Sequence, residues 1–202
     1  MTRQEIINGL IEKNSYSSYL EVGVQNPQSC FLRIKCNYKQ GVEPYPKIGE
    51  FDFPSEVHVI TSDVYFESIS KDETFDIIFI DGLHHDDQVI KDIENSLKIL
   101  NTGGTIIVHD CLPTTEKQQE RDDHGGVWLG DVWKGIAYLR INRSDIQIEV
   151  VDTDLGCGVI TKKDSKKWDT NGEEWNVYGY YQSNKTELMN IISTEEFKQK
   201  YF

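Results

Sequence analysis

Phe75-Asp76-Ile77-Ile78-Phe79-Ile80-Asp81 is a nearly continuous apolar run closing on an acid, and Thr105-Ile106-Ile107-Val108-His109-Asp110 repeats the form. Such runs read as strands buried on both faces, the mark of a parallel sheet covered by helices. Between them Ile90, Ile93, Leu97 and Leu100 recur at intervals of three and four, one face of a helix. Gly103-Gly104 is expected to stop that helix. Strand, helix and strand make a βαβ unit, and an alternation of this kind points to an α/β fold.

Working outward, residues 3–13 read as an amphipathic helix carrying Ile6, Ile7, Leu10 and Ile11, and Tyr19–Gly23 as a strand. A helix is expected from Pro27 to about Cys36, then a short strand Gln40–Glu43 ended by Pro44 and Pro46. Val57–Ile60 reads as a strand, with Ser62 or Asp63 capping the short helix after it. Residues 112–127 lack apolar periodicity and contain Gly125-Gly126, so a mobile loop over a site is expected. A helix over Asp131–Arg140 precedes an antiparallel hairpin of Ile146–Val150 and Gly158–Thr161. Residues 164–186 are polar with interspersed Trp and Tyr, and Ser193-Thr194-Glu195-Glu196 is a capping-box pattern. With no internal repeat or linker, residues 1–202 read as one domain, the aromatic-rich segment 164–202 serving as a cap or dimer element.

The 202 residues are 38% hydrophobic and 27% charged, a globular composition. A formal net charge of −13 repels phosphate backbones and anionic lipid, so nucleic-acid and membrane partners are not expected; a cationic ligand is compatible. The four cysteines form no C-x-x-C pair, which argues against zinc or a disulfide framework. Cys30 and Cys36, six apart in the expected helix, read as packing residues. No apolar run approaches the ~20 residues of a membrane span, and a cytoplasmic location is expected.

Ligands of open α/β sheets bind beyond the carboxyl ends of the strands. Glu21, Glu43, Asp81 and Asp110 stand at four such ends. Gly23 allows a tight turn and close backbone approach. Glu43 lies about 20 residues on, where an acid can accept from ribose hydroxyls. The third corner is Asp81-Gly82-Leu83-His84-His85-Asp86-Asp87 together with His109-Asp110. Adjacent strands are about 4.8 Å apart, so Asp81, His84 or His85, and Asp110 are expected to reach one ion or substrate. Carboxylate plus imidazole suits Mg²⁺, Mn²⁺ or a 3d metal, and histidine suits proton abstraction near neutral pH. Asp86 and Asp87 read as a charge pair favoured at a helix N-terminus.

Tyr19-Leu20-Glu21-Val22-Gly23-Val24, Gly41-Val42-Glu43-Pro44, Phe79-Ile80-Asp81-Gly82-Leu83-His84-His85 and Leu100–Asp110 resemble the class I S-adenosylmethionine-dependent methyltransferases. The likeness spans about residues 17–162 and is nearest the branch with an I-D-G-x-H motif, whose members act on sugars and other secondary metabolites. Gly130-Asp131-Val132-Trp133-Lys134 resembles a further segment of that branch. The resemblance implies a Rossmann-like, doubly wound, mostly parallel seven-stranded sheet with an antiparallel last strand. It implies methyl transfer from S-adenosylmethionine to a hydroxyl of a small molecule. Glu21 and Gly23 would border the methionine part, Glu43 the ribose, Asp63 the adenine, and Asp81 the sulfonium. By the same resemblance Asp81 and Asp110 would hold Mg²⁺, while His84 or His109 would act as base with Asp110 in support. His109-Asp110 stands where some metal-dependent relatives carry paired acids, which leaves metal dependence open. Three other readings stand beside this one. They are an NAD-dependent oxidoreductase, disfavoured by the missing later glycines of the first turn; a non-catalytic nucleotide-binding module of the same fold; and a metal-dependent hydrolase.

Overall fold

Thr2 and Glu5 fix the start of the first helix by a reciprocal box, each side chain accepting the other's backbone N–H. The computed structural model describes residues 1–47, 49–70 and 72–202. In chain order its elements are α1 (Arg3–Asn14), β1 (Ser18–Val22), β2 (Tyr38–Val42), β3 (Val57–His58), α2 (Ser62–Ser68), β4 (Phe75–Ile80) and α3 (Asp86–Ile99). There follow β5 (Leu100–Val108), α4 (Val132–Asn142), β6 (Gln147–Val151), β7 (Cys157–Thr161), α5 (Tyr178–Leu188), β8 (Ile191–Ile192) and α6 (Thr194–Tyr201).

The strands form one sheet in the order β3-β2-β1-β4-β5-β7-β6-β8, parallel except where β7 runs against β5 and β6. Eight strands are present where seven were expected, because Ile191 and Ile192 add a short parallel strand to the β6 edge. From β1 the chain winds outward through β2 and β3, then returns to β4 on β1's other side. The β1/β4 boundary is therefore the switch point, where diverging connections open a crevice.

Both faces are buried. Leu20, Val22, Ile78, Ile80, Ile106 and Val108 pack under α3 and α4, and Tyr19, Ile77, Phe79 and Ile107 pack under α1 and Phe197 of α6. This alternation within apolar runs explains why β4 and β5 show no polar face in sequence. The segment after β7 joins the first core: Tyr181 packs on Trp133 with ring centroids 4.6 Å apart, and the Trp168 indole N–H donates to the Tyr180 hydroxyl at 3.1 Å.

Several local expectations are corrected. No helix spans 27–36; the segment is turns ending in a single 3₁₀ turn, Phe31–Arg33. Asn26 accounts for this by accepting the Gln28 N–H on its side chain and the Ser29 N–H on its carbonyl, which competes with helix formation. Cys30 and Cys36 thus do not share a helix, although Cys30 is buried and all four cysteines are free. Thr61, not Ser62 or Asp63, caps α2 by accepting the Val64 N–H. Gly103-Gly104 lies inside β5 rather than ending α3, which stops at Ile99. A Cβ at Gly104 would come within 2.6 Å of the Asp76 carbonyl, so glycine there lets β5 close on β4. Among the described residues, no helix is long and apolar enough to cross a membrane.

Candidate active site

Strand register assembles the site. Val42, Val22, Ile80 and Val108 lie side by side across β2, β1, β4 and β5. One residue further on come Glu43, Gly23, Asp81 and His109, tied together by Gly23 N–H to the Val42 carbonyl (2.8 Å), Asp81 N–H to Val22 (2.8 Å) and His109 N–H to Ile80 (3.0 Å). Gly23 adopts φ +97°, and a Cβ there would lie 2.1 Å from the Asp81 carbonyl oxygen. The glycine therefore serves the approach of the β1 and β4 ends as well as the turn.

Asp81, His84, His109 and Asp110 form one cluster. His84 Nε2 lies 3.4 Å from both Asp81 Oδ1 and Asp110 Oδ2. His109 Nδ1 lies 3.3 Å from Asp81 Oδ1 and 3.1 Å from Asp110 Oδ1. Asp110 has φ +60°, a strained conformation for a residue with a Cβ, and its carboxylate reaches both histidines. Burial opposes charge on His109, but Asp110, Asp154 and Asp81 outweigh it and push its pKa up to about 11. For His84 burial is likewise outweighed, by Asp81 and Asp110, and the pKa rises. Burial also opposes ionisation of Asp81, yet the two imidazoles hold it well below the usual carboxylate range.

His84 is gripped from the chain that follows. The Asp131 N–H donates to the His84 carbonyl at 3.0 Å, and a Cβ at Gly130 (φ +59°) would fall 2.0 Å from that oxygen. Asp131 also accepts the Asp86 N–H at 2.8 Å, capping α3 across space. The loop 112–130 lies over the cluster, with Trp128 stacked on His84 at 4.9 Å and 23°. Asp86 and Asp87 open α3 and bind Arg121 of this loop at 2.8 and 2.5 Å. His85 precedes α3 without a side-chain capping bond.

The other expected residues lie within β1, just beyond β2 and in α2. Glu21, in β1, is 2% exposed and accepts the Tyr19 hydroxyl. Burial pushes its pKa up to about 8 against the opposing effect of Tyr19. Glu43 is buried, its pKa raised by that burial, and accepts the Tyr45 N–H at 2.8 Å. Asp63 stands apart from the histidine cluster. Lys91 (2.6 Å) and Gln88 (3.1 Å) hold its carboxylate, and the Lys91 hydrogen bond lowers its pKa.

Two residues absent from the sequence reading complete the cluster. Asp154 lies in the β6–β7 turn, 3.6 Å from His109 Nε2, and Arg3 Nη1 lies 3.1 Å from the same nitrogen. Asp154 (φ +48°) and Leu155 (φ +63°) precede Gly156 (φ +92°). The Asp-Leu-Gly triplet signalled that turn. Arg3 carried a weaker signal, since a cation in a helix's first turn opposes the helix dipole.

The donor chemistry fits a divalent cation. One atom each from Asp81, His84 and Asp110 can be chosen so that all lie within 4.8 Å of one another. Two carboxylates and an imidazole suit a hard or borderline ion.

A family described as a methyltransferase domain matches residues 34–111. No curated protein matches the chain. Among solved structures, a Klebsiella pneumoniae protein assigned as an O-methyltransferase aligns at 13% identity over 80% of both chains, with a TM-score of 0.60. An O-methyltransferase from Bacillus cereus in complex with SAH aligns at 17% identity over 80% of both chains (TM-score 0.56). TomG, an O-methyltransferase from Streptomyces achromogenes solved with SAM, aligns at 14% identity over 80% of this chain and 79% of its own (TM-score 0.57). At these identities the structural likeness establishes the fold. Over about four-fifths of its length the chain has the fold of these O-methyltransferases, and its residues 34–111 match a methyltransferase domain.

Proposed function

We propose that the protein transfers a methyl group from S-adenosylmethionine to a hydroxyl of a small molecule. The observation that carries this is the row Glu43, Gly23, Asp81 and His109 at the β1/β4 switch point, with His84 and Asp110 drawn onto it. Bound S-adenosylmethionine supplies an electrophilic methyl group on a positively charged sulfur. The chain's work is then to bind, orient and manage one proton.

Glu43 accepts from the ribose hydroxyls, and Gly23 with Glu21 borders the methionine end. Asp81, kept ionised by two imidazoles, faces the sulfonium. Asp63 would have to exchange Lys91 or Gln88 to meet the adenine. Of the two candidate bases, the geometry favours His84. His109 is enclosed by Asp81, Asp110, Asp154 and Arg3, which face both ring nitrogens and leave neither open to an acceptor. His84 points Nε2 at Asp81 and Asp110, while Nδ1 has no hydrogen-bond partner among the described residues. With the proton on Nε2, the Nδ1 lone pair takes the acceptor's hydroxyl proton. Asp81 and Asp110 would also hold Mg²⁺, which would lower that hydroxyl's pKa.

The acceptor enters beside Trp128, and segment 164–202 serves as a cap or dimer element. The reading places the protein in the cytoplasm, with no nucleic-acid or membrane partner. Calorimetric titration with S-adenosylhomocysteine tests it: one saturable site is expected, competed by S-adenosylmethionine. Absence of binding rejects the reading. His84→Ala should keep cofactor binding and slow methyl transfer by about 100- to 10,000-fold. Unchanged turnover would remove His84 as base.

A further inference from the structure

We propose that Arg3 binds the α-carboxylate of the cofactor's methionyl group, with Asp154 fixing the guanidinium in place. The inference rests on the cofactor reading above and names a residue for one end of that ligand.

The side chains gathered at the β1 and β4 ends are mostly acids, which suit the ammonium and sulfonium of the cofactor but not its carboxylate. A cation with open donors is needed there. His109 is not that cation, because Asp81, Asp110 and Asp154 face its ring nitrogens. Arg3 reaches the cluster from the first turn of α1, on the sheet face beneath which Tyr19, Ile77 and Phe79 lie. Its charge acts on Asp81, Cys30 and Glu21.

The guanidinium is anchored on one side only. The Arg3 backbone N–H donates to Asp154 Oδ2 at 2.8 Å, and Nη1 donates to Oδ1 and Oδ2 at 3.1 and 3.2 Å. Nη1 also makes the contact with His109. Among the described residues Nε is buried without a hydrogen-bond partner, and Nη2 has none either. Nε–H and Nη2–H form the side-on edge of a guanidinium, the fork that takes both oxygens of one carboxylate. A buried donor left unpaired is costly, and a ligand group is one way to satisfy it. The ties through Nη1 leave that edge pointing away from Asp154.

The test measures affinity for two ligands, S-adenosylhomocysteine and its decarboxylated counterpart, which keeps the ammonium. The unaltered chain should prefer the first. Arg3→Met should weaken S-adenosylhomocysteine by roughly 10- to 100-fold and leave the decarboxylated ligand within a factor of about three. Arg3→Lys, which keeps the charge without the fork, should fall between; it also carries the test if Arg3→Met does not fold. Equal weakening of both ligands, or no change in either, overturns the assignment of Arg3 alone. Failure of the unaltered chain to bind either ligand overturns the cofactor reading, and the Arg3 assignment with it.

Discussion

Glu21 sits in β1 with its carboxyl under the Tyr19 hydroxyl and 2% of its surface exposed. Burial pushes its pKa up to about 8, so in the empty protein it is largely protonated near neutral pH. An unfolded glutamate ionises near 4.3. Between those values the folded chain binds the extra proton, and stability falls as pH rises. This contribution is complete below about pH 4 and is lost as pH climbs through about 8. Glu21→Gln keeps an acceptor for Tyr19 and removes the titration. Its melting temperature should draw ahead of the unaltered chain's as pH goes from 5 to 8; a constant gap would show that Glu21 ionises normally. A cationic ligand would lower the Glu21 pKa, so cofactor binding at pH 7 should release a proton, seen as a binding enthalpy that changes between phosphate and Tris.

Loop 112–130 and its partners show what one element adds. Arg121 bridges Asp86, Asp87 and Asp131, and Trp128 covers His84 while its indole N–H donates to the Glu120 carbonyl at 2.8 Å. Arg121 is 44% exposed, so its pairs are screened and contribute little to global stability. Arg121→Ala should therefore cost under about 1 kcal/mol of unfolding free energy. Amide exchange over residues 113–130 should quicken, because the bridges join the loop to the starts of α3 and α4. Unchanged exchange would mean that the loop's other contacts, such as Trp128 on His84 and the Leu129 N–H donating to the Gln118 carbonyl at 2.9 Å, hold it without the bridges. The element scale also shows where sequence was opaque. The β4 and β5 runs were readable because both faces of each strand are buried. The 27–36 segment misled because Asn26 turns the chain locally before a helix can form. Gly103-Gly104 looked like a helix stop, yet Gly104 answers to the neighbouring strand, a relation that only register reveals.

Over the whole molecule, the acids at the strand ends were legible because each ends an apolar run, and the sheet order brings those ends together. Arg3 and Asp154 were not legible as a pair, for 151 residues separate them and only packing of α1 beside the β6–β7 turn joins them. The charge balance was legible and carries a last prediction. The chain bears a net −13, and Glu43, Asp81, Asp110 and Asp154 gather at one edge with fewer cations among them. Such a field raises the encounter rate of a cation and is screened beyond about 10 Å at 0.1 M salt. S-adenosylmethionine carries a net positive charge at pH 7, whereas S-adenosylhomocysteine is neutral overall. Stopped-flow fluorescence should show S-adenosylmethionine association slowing several-fold as salt rises from low to high ionic strength, while S-adenosylhomocysteine association barely moves. Trp128, stacked on His84, supplies the signal. Identical salt dependence for the two would mean that the site's own cations, Arg3 among them, cancel the field where the ligand enters.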